Sequence, residues 1–206
     1  MKNYRLTKKE TQETLFAGFY KDFKTCLEEA VKRRTPLFDI DLRNKNLSNA
    51  NLDDGIFGHA DFTGCNLTGA NLSESYCRGA NFSGASLFNT CFAYANLTEC
   101  HFLDTSFGAT DMTGSIIDRS QFSTLSAFSI NLNKAKQMNE CIFIANDGTI
   151  TELSEPPIVI NGMNKAPIIV TKTHILKGHS RIDKTPPLKF LKRFSSMQFQ
   201  KQMRAM

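Results

Sequence analysis

The sequence lacks several features that would assign it quickly to a class of protein. It has no tryptophan, no run of about eighteen apolar residues that could span a membrane, and no apolar signal-peptide core in its start, MKNYRLTKKETQETL. Its six cysteines form no CxxC pair, which argues against a disulfide framework or a zinc ribbon and favours free thiols. These absences predict a soluble cytoplasmic protein.

The motifs of common active sites are also missing. GxxxxGK[ST], HExxH and GxSxG do not occur, so the sequence indicates no P-loop, zinc protease or hydrolase nucleophile elbow. His174 and His179 lie five residues apart without cysteines or acids at ligand spacing, which favours two loop histidines over a zinc site. We therefore expect a protein that is not an enzyme and that holds no metal or other cofactor.

Charge divides the chain into three parts. Basic residues outnumber acidic ones by nine to five in residues 1–34 and by ten to four in residues 146–206, whereas acids lead by eleven to six in residues 35–145. The net charge of +5 therefore hides an acidic middle. We predict three segments with these bounds: an N-terminal cap, a central repeat and a basic C-terminal segment.

A five-residue repeat occupies the middle of the chain. A large side chain, here called position i, recurs at every fifth residue from Leu37 to Phe122, and a small residue stands two positions earlier from Ala50 to Ser120. Five residues advance about 140° around a helix, and a strand would send successive i residues to opposite faces, so neither element buries this column. Four weaker members extend the frame to residue 144: Ala127, Leu132, Gln137 and Ile142.

A coil that turns a corner every five residues can bury both columns. Stacked coils then pair their backbones about 4.8 Å apart. Phe62, Phe82, Phe102 and Phe122 are spaced by twenty residues, which predicts four units per coil, a square cross-section and a core ladder made of these four rings.

The motif Ala-(Asp/Asn)-(Leu/Phe)-x-x, found at residues 50–52, 60–62 and 70–72 among others, resembles the pentapeptide-repeat family over residues 35–144. The resemblance implies an all-β solenoid, a right-handed four-sided β-helix, and twenty-two units would make about 5.5 coils. It also implies a binding function. Several members resemble duplex DNA in width and charge and bind DNA gyrase, protecting it from quinolones or inhibiting it.

The N-terminal segment has the pattern of a cap. Apolar residues spaced by three and four between Leu15 and Val31 predict one amphipathic helix over residues 8–34, which would cover the exposed backbone of the first coil. The sequence leaves undecided whether two copies form a homodimer through one end of the β-helix.

The C-terminal segment departs from the repeat. Asn146-Asp147-Gly148 and Asn161-Gly162 predict turns between short strands, and residues 188–204 alternate apolar and basic positions as a basic amphipathic helix would. We expect a small β/α appendage. From residue 156 onward the chain has ten basic residues and one acid.

Acidic residues concentrate on two opposite faces when successive units are assigned to four faces, starting with residues 35–39 on the first. Each of these faces has a net charge of −3. The eight acids are candidate contacts for a protein partner. The leading candidate partner is DNA gyrase or another topoisomerase, which the chain would bind by partial DNA mimicry. Such a protein could be a bacterial or phage inhibitor of host machinery. The alternative is that these acids are merely scattered over a solvated surface. They are much sparser than the charges of B-DNA, which has a phosphate charge about every 1.7 Å of its axis. They are Asp41, Asp61, Asp104 and Glu140 on the second face and Asp53, Asp54, Glu74 and Asp111 on the fourth.

A second functional hypothesis concerns the basic C-terminal tail. Basic side chains beside Phe190, Phe194 and Phe199 could bind a nucleic acid or another anionic surface, or the stretch could cap the last coils with its apolar side. The candidate anion-binding residues are Lys184, Lys189, Lys192, Arg193, Lys201 and Arg204.

The cysteines follow the repeat. Cys65 and Cys100 stand in the small inward column and Cys77 in the large one, so they are expected to be buried apolar groups. Cys91 and Cys141 fall one residue before i, where they would face outward and be more accessible to reagents.

Overall fold

The chain divides into two compact units, Met1–Ser154 and Glu155–Met206. We analysed a computed structural model, which describes the backbone of the second unit in segments. The described residues are 1–127, 129–156, 158–162, 165–170, 175–177 and 180–182. No helix among them is long and apolar enough to cross a membrane.

The N-terminal segment is a hairpin followed by a helix. Strand β1 (Lys2–Thr7) pairs antiparallel with β2 (Thr14–Tyr20), and helix α1 covers Phe23–Lys32. Asp22 caps α1, because its carboxylate accepts hydrogen bonds from the amide and the hydroxyl of Thr25 at 2.8 and 2.7 Å.

The predicted single helix over residues 8–34 is therefore wrong in its first half. Along β2, Phe16 and Tyr20 are half-buried while Ala17 and Phe19 are exposed, which is the alternation of a strand. Phe16 and Tyr20 are also four residues apart, so the same apolar residues fit a helical spacing. Pairing with β1 decides between the two, and a local pattern cannot show that pairing.

The hairpin and α1 cover the first coil as a cap should. The amide of Asp41 donates to the carbonyl of Thr7, and the amide of Lys9 donates to the carbonyl of Asp39, both at 2.9 Å. Leu6 on β1 is buried in the same core as the coils. The exposed backbone edge of the first coil is thus paired instead of being left open.

Each unit of the repeat ends in a tight turn. The amide of Ala50 donates to the carbonyl of Leu47 at 3.0 Å, and Asn49, the third residue of this turn, has a φ of 54°. Among the common turns, a positive φ at the third residue, and not at the second, is typical of type II. The positive φ recurs at every fifth residue from Asp39 to Arg119, so the chain turns a corner once per unit.

Coils stack through parallel backbone hydrogen bonds. The amide of Leu52 donates to the carbonyl of Asn71 at 2.7 Å, and the amide of Asn71 donates to that of Ala50 at 2.9 Å. Parallel bridges join Asn51 to Asn71 and Asn71 to Cys91. One coil therefore takes twenty residues, or four units, and its sides pair as in a β-helix solenoid.

Six further strands of the first unit are regular enough to be named, together with two short helical turns. Strand β3 (Ser86–Phe88) pairs in parallel with β5 (Ser106–Gly108). The others form one sheet in the order β4-β6-β7-β8: β4 (His101–Phe102), β6 (Gln121–Ser123), β7 (Cys141–Ile144) and β8 (Ile150–Leu153). Helix α2 covers Thr124–Ala127, and a 3₁₀ turn covers Leu132–Lys134.

The core consists of the two predicted inward columns. Position i is buried from Leu37 to Phe122, and the small position i−2 is buried from Ala50 to Ser120. The phenylalanine rings stack nearly parallel in one ladder. Successive centroids from Phe62 through Phe82 and Phe102 to Phe122 lie 4.8, 5.2 and 5.0 Å apart, and Phe143 follows at 5.3 Å.

The repeat frame slips by one residue before its end. Met138 and Phe143 occupy the core, whereas the predicted Gln137 is exposed and Ile142 is only half-buried. The slip also turns Cys141 inward, where it is fully buried, so the prediction that this thiol faces outward is wrong.

A β-bulge explains the slip. The amides of Lys136 and Gln137 both point at the carbonyl of Ser115, at 2.8 and 3.4 Å. Two residues of one coil thus oppose one residue of the coil before it, which is how a bulge inserts a residue into a ladder. Parallel partners are consequently twenty-one residues apart afterwards, as in Phe122 with Phe143.

The coils end in an antiparallel hairpin. Strand β8 pairs with β7, with Cys141 opposite Leu153, and the connection turns at the predicted Asn146–Gly148, where Gly148 has a φ of 81°. The predicted boundary after Ala145 lies inside this hairpin. The first unit extends to Ser154 because β8 hydrogen bonds to the last coil strand.

The second unit contains an antiparallel sheet in the order β12-β11-β10-β9. Its strands are β9 (Ile158–Gly162), β10 (Lys165–Val170), β11 (Ile175–Lys177) and β12 (Ser180–Ile182). The predicted basic helix and the six tail residues from Lys184 to Arg204 lie outside the described residues.

Candidate functional site

The outward asparagines and aspartates of the repeat have a local structural task. The side-chain oxygen of Asn66 accepts a hydrogen bond from the amide of Thr68 at 3.1 Å, and Asn71 and Asn81 bind the amides two residues on in the same way at 3.0 Å. This is an Asx turn, which explains why the motif places Asn or Asp between two buried residues. Their recurrence alone is therefore no sign of a binding site.

Two acids of the second face are neutralised by neighbouring cations. Arg43 holds Asp41 with two hydrogen bonds at 2.9 and 2.8 Å, and this contact lowers the pKa of Asp41. Lys9 lies 2.7 Å from Asp61. Burial opposes ionisation of Asp61, but its hydrogen bonds to Lys9 and Thr63 outweigh it and keep the pKa of Asp61 below its ordinary value.

Asp61 is only 4% exposed, so the expectation that it contacts a partner is wrong. Lys9 belongs to the turn between β1 and β2, which lies over this part of the second face. The position of Asp61 in its unit does point outward, but the N-terminal hairpin covers it.

The other two acids that were predicted on the second face, Asp104 and Glu140, belong to different faces. Asp104 is exposed, and its backbone amide donates to the Ser123 hydroxyl at 2.8 Å. Glu140 is also exposed. The bulge places Glu140 in the unit centred on Met138, whose strand pairs with the first face through Ile116 and Gln137. The assignment of Glu140 to the second face is therefore wrong.

The fourth face has the most accessible carboxylates. Asp54 forms an ion pair with Arg34, and Asp111 lies 3.9 Å from Lys134. Asp53 and Glu74 are exposed, and among the described residues neither has a cation within ion-pair distance. These two carboxylates lie on the first and second coils, and we call them the fourth-face acids.

A cleft of about 590 Å³ lies between α1 and the first coil, and Asp53 is one of its lining residues. Glu28 of α1 accepts a hydrogen bond from the amide of Asn51 at 2.9 Å, which fixes the helix to the coil. Glu28, Asp53 and Asp54 line the cleft, and Arg34 is among its cations. A basic side chain of a partner would find fixed carboxylates here.

An apolar patch on the first face escaped the sequence prediction. The rings of Phe38 and Tyr76 meet edge to face with centroids 6.2 Å apart, and they are 40% and 37% exposed. Both rings lie over Gly58, where a Cβ atom would come within 2.6 Å of the Phe38 ring. The sequence did contain a signal for this patch: both aromatic residues stand at outward positions, and Phe38 lies twenty residues, or one coil, before Gly58.

The thiols separate into two groups. Burial raises the pKa of Cys65, Cys77 and Cys141 to about 12 in each case. Cys91 is partly exposed, with its sulfur 3.1 Å from the Ser73 hydroxyl oxygen. Within the described part of the chain, no three His, Cys, Asp or Glu side chains gather as metal ligands would.

The repeat matches a known family of sequences. The family model for pentapeptide repeats matches residues 37–69 and 65–104, with eight copies. A comparison with curated proteins found no match.

Three solved structures illustrate the similarity. A pentapeptide repeat protein from the Arabidopsis thaliana thylakoid lumen is 30% identical over 37% of this chain and 60% of its own, with a TM-score of 0.21. HetL, a pentapeptide repeat protein of Nostoc involved in heterocyst differentiation regulation, is 26% identical over 44% of each chain (TM-score 0.24). QnrB1, a plasmid-mediated fluoroquinolone resistance protein, is 21% identical over 47% of this chain and 54% of its own (TM-score 0.28).

This chain spans between 44% and 60% of the length of those three proteins. The five-residue core period runs through all of the matched residues. Residues 37–104 therefore carry pentapeptide repeats.

Proposed function

We propose that this chain is a non-catalytic cytoplasmic scaffold that binds a protein partner through the faces of a right-handed, four-sided β-helix of about 5.5 coils. The observation that supports it best is the exposure of Asp53 and Glu74 on successive coils, with Asp53 also lining the cleft between α1 and the first coil. Hydrogen bonds between the coils hold the backbone that bears these carboxylates, so a partner would bind them without first ordering the chain.

The specific partner we propose is DNA gyrase or another topoisomerase, bound through partial DNA mimicry by a bacterial or phage protein. The family resemblance and the exposed fourth-face acids support this choice. The mimicry would be local, because Asp41, Asp61, Asp54 and Asp111 already have a basic neighbour within 4.0 Å. Its extent would be the fourth face of the first two coils.

A gyrase supercoiling assay tests the proposal. The wild-type chain should inhibit supercoiling or protect gyrase from a quinolone, and the Asp53→Asn/Glu74→Gln double variant should need about ten times more protein for the same effect, because two exposed charge contacts contribute about 0.7 kcal/mol each. The matched control is Asp39→Asn, which removes an exposed acid from the first face and should change the potency less than about twofold.

Two results would count against this proposal. No effect of the wild-type chain at a large molar excess would remove gyrase as the partner. An equal loss of potency in the double variant and in Asp39→Asn would mean that overall charge acts, and not the fourth face.

The alternative function is binding of a nucleic acid or another anionic surface through Lys184, Lys189, Lys192, Arg193, Lys201 and Arg204. The excess of ten basic residues over one acid from residue 156 onward supports it. Binding of duplex DNA should then weaken steeply with salt and vanish when residues 186–206 are deleted. Unchanged binding by the deletion variant would exclude the tail as the contact.

Self-association through an end of the coils is a further proposal for the assembly. Because β1, β2 and α1 cover the first coil, a homodimer of this kind would use the opposite end. Sedimentation velocity would detect it as a concentration-dependent increase in mass, and a monomer at all concentrations would exclude it.

A further inference from the structure

A second cleft, which shares no lining residue with the acidic one, is basic. It has a volume of about 320 Å³ and is lined by residues of β1, α1 and the first coil. Its charged residues are Arg5, Arg43, Lys45 and Asp41, which sum to a local charge of +2. We call it the basic cleft.

The one carboxylate of the basic cleft is already fully used. Asp41 receives two hydrogen bonds from the guanidinium of Arg43 at 2.9 and 2.8 Å and a third from the backbone amide of Arg43 at 3.2 Å. Among the described residues, no carboxylate lies within 4.0 Å of Arg5 or Lys45. The excess charge of the cleft therefore resides on these two side chains.

Lys45 has a weak partner in place of an acid. Its ammonium lies 4.9 Å from the centroid of the Phe23 ring, a cation–π contact that contributes about 0.5–1 kcal/mol at an exposed site. An anion offers a charged hydrogen-bond acceptor instead, and such bonds are about twice as strong as neutral ones. The ring of Phe23 would remain as an apolar wall of the cleft.

Backbone contacts hold the two cationic walls together. The amide of Asp41 donates to the carbonyl of Thr7 at 2.9 Å, and Lys8 pairs with Ile40 in an antiparallel bridge. Arg5 on β1 and Lys45 on the first coil are thus attached to one rigid frame, and an anion between them would not need to order the backbone first.

We propose that the basic cleft binds the phosphate group of a phosphomonoester. The dianion of such a ligand has a charge close to −2 at neutral pH and matches the local excess, whereas a phosphodiester of a nucleic-acid backbone has a charge of −1. Guanidinium and ammonium groups together are well suited to phosphate oxygens. A volume of about 320 Å³ also leaves space for a small organic group beside the phosphate.

Isothermal titration of the full chain with ribose 5-phosphate and with inorganic phosphate tests the proposal. Saturable binding of ribose 5-phosphate should weaken by about tenfold or more in Arg5→Ala/Lys45→Ala, because two charge-assisted contacts are lost. Both residues are exposed, and an unchanged thermal unfolding midpoint verifies that the variant folds. The control is Lys136→Ala, an exposed lysine at the other end of the coils, which should bind like the wild type.

The ligands and variants distinguish the outcomes. Equal affinity for inorganic phosphate would identify the free ion as sufficient and would still support the cleft. No saturable binding, an unchanged affinity in the double variant, or an equal loss in Lys136→Ala would overturn the proposal. Loss of DNA binding in the double variant, without any binding of the two phosphates, would also overturn it and assign the cleft to nucleic acid.

Discussion

The coils before Phe122 and the chain after it fill the same core by different means. Up to Arg119, a residue with positive φ makes each corner, and parallel partners are twenty residues apart. After Phe122, α2 and the 3₁₀ turn make the next two corners, a bulge shifts the partners to twenty-one, and a positive φ returns at Glu140. The ring stack still continues from Phe122 to Phe143. Packing of the core therefore sets the register, and the exposed turns adapt to it.

Deletion of one residue outside the core from each region should give the largest difference. Deletion of Thr98 should abolish cooperative unfolding, because it displaces every later core residue from its column by one position. Deletion of Lys136 removes the extra residue of the bulge and should cost no more than about 2 kcal/mol. Urea unfolding followed by circular dichroism measures both, and equal damage by the two deletions would contradict the bulge as the site of the slip.

Truncation of the ring ladder should show the next largest difference. Phe102 contacts rings on both neighbouring coils, so Phe102→Ala should cost about 3–5 kcal/mol of unfolding free energy. Among the described residues, Phe143 stacks on one ring, that of Phe122, and Phe143→Ala should cost about half as much. The exposed Phe88 serves as the control, with a loss below about 1 kcal/mol. A larger loss at Phe143 than at Phe102 would mean that the end coil is the more tightly packed.

The dependence of the unfolding free energy on alkaline pH shows how well each of the two regions shields its buried thiol from water. The pKa of Cys65 and that of Cys141 are about 12, above the ordinary 9.0, so the folded state keeps protons that the unfolded state loses. Stability should therefore fall as the pH rises from 9 toward 12, by about 1.4 kcal/mol per pH unit for each thiol.

Replacing either thiol should reduce that slope by the same amount. Serine fits the inward position, because Ser120 donates to the carbonyl of Leu97 at 2.6 Å as Cys141 does to Ile117 at 2.8 Å. Urea unfolding of Cys65→Ser and Cys141→Ser at pH 8, 9 and 10 measures the change. If Cys65→Ser reduces the slope of unfolding free energy against pH and Cys141→Ser does not, the coil after the bulge admits water to its thiol.

The corner residues of the regular coils should give the smallest effect. Ala109 is exposed and has a φ of 52°, a conformation that strains alanine and suits glycine, so Ala109→Gly should stabilise the fold by about 1 kcal/mol. Ala93, which lacks a positive φ, is the matched control, and Ala93→Gly should destabilise by about 0.5–1 kcal/mol. Thermal unfolding midpoints that move in the same direction would contradict the turn geometry.

Local spacing predicted the regular coils well because no helix or strand buries one residue in five. The N-terminal hairpin was not predictable in this way, since the four-residue spacing of Phe16 and Tyr20 fits two elements. The covering of Asp61 by Lys9 joins residues distant in the chain, and the displacement of Glu140 depends on a single extra residue at Lys136. Both effects act on the candidate site, which is why the sequence located the acids but could not separate the accessible ones from the covered ones.

The proposed mimicry requires that carboxylates of the regular coils occupy a DNA-binding surface of the partner protein. The most direct measurement is the fluorescence anisotropy of the labelled chain with purified gyrase, followed by titration of duplex DNA. We predict saturable binding that DNA displaces competitively. Absence of binding, or binding that DNA leaves unchanged, would contradict the claim.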